Sequence, residues 1–78
     1  MVAQSLRYTV LLDPDPDGGF TVTVPAIPSV VTEGDTRDEA LANAREAIAL
    51  ALEAMAADGE TPPVQIGEVQ IEHVEILV

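Results

Sequence analysis

Asp13-Pro14-Asp15-Pro16-Asp17-Gly18-Gly19-Phe20-Thr21-Val22-Thr23-Val24-Pro25 joins an aperiodic acidic segment to a strictly alternating one, the signature of a turn entering a strand. Residues 13–19 carry no periodicity; their prolines remove backbone donors and their glycines permit positive φ, so they form a turn. Phe20, Val22 and Val24 then alternate with Thr21 and Thr23, residue types suited to a pleated surface, until Pro25 ends the ladder. Upstream, Leu6, Tyr8, Val10 and Leu12 alternate with Arg7, Thr9 and Leu11, which predicts a first strand over residues 5–13 with one face more buried than the other. The two strands and their turn make a hairpin.

Working downstream, Pro25-Ala26-Ile27-Pro28-Ser29 is too rich in proline for a regular element. Val30-Val31-Thr32-Glu33 reads as a short third strand closed by Gly34, placed at a sheet edge. Thr36 followed by Glu39 matches a capping box, in which the hydroxyl accepts from an orphan helical N–H and the glutamate reaches back to the cap. A helix is therefore expected over residues 37–58. Leu41, Ala44, Ile48, Ala51, Leu52 and Met55 recur at three- and four-residue steps along it, and Asp58-Gly59 stops it. Leu50 falls opposite that stripe, either as a lone exposed leucine or as a subunit contact. Beyond Thr61-Pro62-Pro63 the tail is apolar to its end, but Val69 and Ile71 are odd-numbered whereas Val74, Ile76 and Val78 are even. A bulge near Glu72-His73 would reconcile the two phases in a last strand. The order is β-β-β-α-β, one α+β domain over residues 1–78 with no repeat or linker.

The chain has 78 residues, 14 acidic and 3 basic, for a formal charge of −11, and 47% of its positions are hydrophobic. A domain this small buries only roughly 60% of the surface its unfolded chain exposes, so its core is thin and self-association would help it. Without cysteine there are no disulfides, thiol nucleophiles or thiolate metal sites, which fits a reducing, cytoplasmic setting. No apolar run approaches the roughly 20 residues that span a bilayer, and the N-terminus lacks signal-peptide regions, so no membrane role is expected. Lysine is absent and Arg7, Arg37 and Arg45 are scattered, so direct nucleic-acid binding is opposed by repulsion. A basic protein is the electrostatic complement.

Candidate chemistry is sparse. Asp13, Asp15, Asp17 and Gly18 match the first half of a calcium loop, but the twelfth position is Val24 where a bidentate glutamate is needed. A solvated acidic turn is the expectation. His73 is the single histidine, with Ser5 and Ser29 the two serines besides no supporting motif, so no catalytic residue, metal or cofactor is assigned. Glu33, Asp35, Asp38 and Glu39 cluster around the third strand and the helix start, where the helix dipole favours negative charge. They are either first-turn acids or a patch facing a partner.

The order of these segments resembles the HicB-like antitoxin family from Tyr8 to about Met55. The resemblance is carried by Tyr8-Thr9-Val10, Asp15 through Pro25, Ala26-Ile27-Pro28, Thr32-Glu33-Gly34-Asp35-Thr36, Glu39-Ala40, and Asn43-Ala44 before Ala47. One departure is Ser29, where the family usually has glycine after its second proline. The resemblance implies a partial RNase H-like fold: a three-stranded antiparallel meander, one helix on one face, and the last strand beside the first. It also implies a role in binding HicA, a small basic toxin that cleaves mRNA, and covering its active site. Many members carry a C-terminal DNA-binding segment; none is expected in a sequence that reaches Val78 without a helix-turn-helix or ribbon-helix-helix pattern. Nuclease chemistry is not implied, since that needs converging carboxylates around two metals and the strand core positions here are apolar.

The expected function is thus a non-enzymatic, toxin-neutralising antitoxin, with Asp15, Asp17, Glu33, Asp35 and Asp38 facing the partner. The alternative is an orphan homo-oligomeric module of the same fold. A dimer or tetramer is expected in either case, with Leu50, Val74 and Ile76 at the subunit interface.

Overall fold

The computed structural model describes residues 5–78. Four elements form: β1 (Leu11–Pro14), β2 (Phe20–Thr23), β3 (Val31–Gly34) and α1 (Arg37–Ala57). The strands make an antiparallel meander in the order β1-β2-β3, so the architecture is α+β with three strands and one helix. Leu12 pairs with Val22 and Val22 with Thr32, which sets the even-numbered residues on one face. That face meets the helix.

Val22, Ala40 and Ala44 are buried there, with Val10, Leu12 and Phe20 packed around them. The helix approaches the sheet through alanines because only a small side chain fits between them at this end. Towards the other end Val24, Ile27 and Val30 form a second buried group under Ala47, Ile48, Ala51, Leu52 and Met55, with Tyr8 against it. The proline-rich segment is thus a plug rather than a surface loop. Two successive turns shape it: Ile27 N–H donates to the Val24 carbonyl at 3.0 Å and Val30 N–H to the Ile27 carbonyl at 2.9 Å. Ser29 occupies the third position of the second turn with ordinary negative φ, since no residue but glycine has positive φ among those described. The turn therefore needs no glycine there.

The helix begins and stops where the sequence places its caps, with the Thr36 half of the capping box formed and no hydrogen bond joining the Glu39 carboxylate back to the cap. Thr36 is extended (φ −125°, ψ 165°) and its hydroxyl accepts from the Glu39 N–H at 3.1 Å. At the far end Glu60 N–H reaches the Met55 carbonyl and Gly59 N–H the Ala56 carbonyl, with Gly59 at φ +75°, a Schellman motif. Asp58 is the cap rather than the last helical residue.

Three expectations shift. The first strand starts at Leu11, not residue 5, because continuing the register would set Thr9 opposite Pro25, which has no N–H to offer. Thr9 N–H is instead accepted by Gln65 Oε1 at 3.2 Å, and the Tyr8 hydroxyl donates to the Pro63 carbonyl at 2.6 Å. The third strand spans Val31–Gly34, one residue later than expected, since Val30 is engaged in the plug. Residues 69–78 form no strand beside β1 in this structure; Val74 and Ile76 stand exposed, and no bulge forms at Glu72-His73. The molecule, this terminal arm included, measures 55 × 27 × 22 Å, with a radius of gyration of 15.0 Å where a compact chain of this length has about 11.5 Å. Among the described residues no helix is long and apolar enough to cross a membrane.

Candidate functional site

At one end of the sheet the β1–β2 turn, the end of β3 and the first turns of α1 converge on a shallow cleft of about 370 Å³, lined by Asp15, Glu33, Asp35, Glu39 and Asn43 with Gly18 and Gly34. Each wall has a local cause. Asp15-Pro16-Asp17-Gly18 is a turn with proline and aspartate at favoured places, closed by Gly18 N–H donating to the Asp15 carbonyl at 3.0 Å. Gly18 and Gly19 have φ of +98° and +80°, which bring the chain back to Phe20. The Thr21 hydroxyl holds the Asp15 carboxylate at 2.9 Å.

The opposite wall depends on Gly34. A Cβ placed there would lie 2.4 Å from the Ala40 nitrogen and 2.6 Å from its Cα, so the helix's first turns rest directly on the strand's backbone. Gly19 likewise approaches Gly34, where an added Cβ would come within 2.8 Å of the carbonyl oxygen. Asn43 fastens the helix to β3 by donating from Nδ2 to the Glu33 carbonyl at 2.8 Å.

The structure brings Asp15, Glu33 and Asp35 together and leaves Asp17 and Asp38 off the lining, both exposed nearby. Glu39, which belongs to the acidic cluster expected at the helix start, and Asn43, which the sequence did not single out, complete the cleft. Their signal was the four-residue spacing, which sets both on one helix face, but the capping box had already accounted for Glu39. His73 stands exposed on the arm, and the cleft lining holds no serine, histidine or lysine. No group of three or more His, Cys, Asp or Glu side chains is placed to hold a metal ion among the described residues. The arrangement is a concave, anionic rim with a backbone floor, suited to receiving cationic side chains.

The structure is thus a small α+β domain with an acidic cleft at one sheet end. Comparison with known proteins makes this specific. The sequence model described as the HicB-like antitoxin of bacterial toxin–antitoxin systems matches residues 8–75, and the chain belongs to that family. It is 39% identical over 75 residues to Antitoxin HicB 1 of Photorhabdus laumondii, a match covering 96% of this chain and 48% of that protein. Antitoxin HicB of Escherichia coli K12 is 38% identical over 58 residues, 74% of this chain and 42% of its own length. A UPF0150 protein of Thermoplasma acidophilum is 41% identical over 58 residues, 74% of this chain and 84% of its own. The chain thus spans about half the length of the antitoxins it matches.

Proposed function

We propose that this chain is a non-enzymatic antitoxin that binds a small basic HicA-type toxin and covers its RNA-cleaving surface, in the cytoplasm where that toxin would act. The observation that carries the reading is the acidic cleft, built by backbone features on a chain of net charge −11 that belongs to an antitoxin family. Opposite charge speeds encounter, while apolar contacts around the rim set the lifetime of the complex. Asp15, Glu33 and Asp35, joined by Glu39, are the acids best placed to meet the toxin, with Asp17 and Asp38 adding to the field around them. The fold is the partial RNase H-like one, with residues 69–78 as its fourth strand once they find a partner edge.

The reading predicts a small basic protein encoded beside this chain, and calorimetric titration with that protein tests it. Micromolar or tighter association that weakens with salt is expected, together with loss of the toxin's RNA cleavage. Glu33→Gln with Asp35→Asn should weaken association by about tenfold, the cost of one or two charge-assisted contacts, without moving the melting temperature by more than a degree or two. No association at low or moderate salt would sink it.

The exposed arm favours a second reading, an orphan module whose chief property is self-association. It predicts oligomers and no basic protein encoded alongside.

A further inference from the structure

The helix covers one face of the sheet, and among the described residues no helix or strand covers the other. The register sets Leu11, Thr23 and Val31 in one row across the three strands and Asp13, Thr21 and Glu33 in the next. All six are odd-numbered and so point away from the helix. Leu11 and Val31 join neither buried group, and Val31 is 62% exposed. Two residues beyond Thr23, Pro25 extends the apolar row towards a hollow of about 270 Å³ that it lines with Ile66 and Val69. One half of the face is apolar and the other acidic.

The acidic half has no cation of its own. Opposite charges on neighbouring strands stabilise an exposed sheet face, and like charges oppose it. Asp13 and Glu33 flank Thr21, whose hydroxyl is committed to the Asp15 carboxylate at 2.9 Å, and none of the three arginines falls in either row. Three carboxylates thus share one end of the face, and an arriving cation relieves their repulsion. Size narrows the visitor further. Each strand has four residues, and the sheet is about 10 Å wide from β1 to β3, the diameter of one α-helix. A second sheet would overhang so small a platform. A helix lying along the strands instead sets successive turns, about 5.4 Å apart, over the apolar and acidic rows, which are about 7 Å apart.

We infer that this uncovered face holds an amphipathic helix of the basic partner protein. Its apolar side chains lie on Leu11, Thr23 and Val31, and its lysine or arginine side chains lie over Asp13, Asp15 and Glu33. This assignment rests on the antitoxin reading and adds a second contact to it. Asp15 and Glu33 also line the cleft, so the negative field runs unbroken from one surface to the other. The acids draw the partner in, and burial of the apolar row retains it.

Binding kinetics of the full chain with the small basic protein that the antitoxin reading places beside it test the assignment. Val31→Glu keeps the negative field and removes only the apolar contact. It should leave the association rate within about twofold and raise the dissociation rate about tenfold. Asp13→Asn with Glu33→Gln should act in the other direction, slowing association about threefold at low salt and flattening its salt dependence. Leu50→Glu on the helix, at a leucine of nearly equal exposure, 60%, is the control and should leave both rates within about twofold. Val31→Thr suits a strand as well as valine does and should raise dissociation about threefold, which answers for any loss of folding in Val31→Glu. Wild-type binding whose dissociation is unmoved by either Val31 variant, or is moved as much by Leu50→Glu, overturns the sheet-face site and leaves the antitoxin reading standing. Absence of any association by the wild-type chain removes both.

Discussion

The body between Leu11 and Gly59 and the arm between Thr61 and Val78 use the same kinds of side chain to opposite effect. Val22, Val24 and Ile27 are buried to 1% exposure or less, whereas Ile71, Val74 and Ile76 remain at 72% or more. Both regions alternate or cluster their apolar residues, so hydrophobicity does not separate them. What separates them is a facing surface. The hairpin turn and helix cap fold residues 11–58 back on themselves, so most apolar side chains there find another within the same chain, Val31 and Leu50 being the exposed exceptions. After the Schellman stop at Gly59 the chain stays tied to the body only through Pro63 and Gln65, which meet Tyr8 and Thr9, and the apolar residues beyond Gly67 find no such surface.

That contrast can be broken most sharply at Gly34. Gly34→Ala drives a methyl group into the backbone of Ala40, which no rotamer can relieve, and should cost about 4 kcal/mol, a large part of the stability of so small a domain. Urea unfolding measures it, and a loss below about 1 kcal/mol would mean that the helix is not seated on the strand. Ile27→Ala, removing the plug under the helix's second half, should cost about 3 kcal/mol by the same assay. Thr36→Ala removes one cap hydrogen bond and should cost about 1 kcal/mol, with Thr36→Ser nearly neutral. Leu77→Ala, at the far end of the arm, should change monomer stability by less than about 0.5 kcal/mol. Equal losses from Ile27→Ala and Leu77→Ala would erase the distinction between body and arm.

Most of the body was legible because its signals are local. Asp15-Pro16-Asp17-Gly18 specifies its own turn, Thr36 its own cap, and Gly59 its own stop. The plug was not legible: Ile27 lies between prolines in a segment with no period, and its burial is decided by the helix arriving above it. The start of β1 was misplaced because Leu6 to Val10 alternate as a strand does, while the fault lies with Pro25 on the neighbouring strand. The fourth strand is absent from this structure for a related reason. Alternation reports that a segment has a face to bury but not which surface, or whose, will cover it. In the cleft, the acids around Glu33 and Asp35 were visible as a cluster, whereas which of the neighbouring acids line it was not, Asp17 and Asp38 standing just outside. Asn43 was overlooked because its task, holding the Glu33 carbonyl, joins two elements that the sequence lists ten residues apart.

Gly19 and Gly34 meet with no side chain between them, and this separates two properties that most recognition sites tie together. The shape of the concavity is set by main chain, while its chemistry is set by Asp15, Glu33, Asp35 and Glu39 around the margin. On the proposed reading, substitutions at the margin retune which partner is accepted without disturbing the main-chain contact that creates the hollow. A lineage carrying several such modules could diversify them into mutually insulated pairs at little structural risk, provided the two glycines stay.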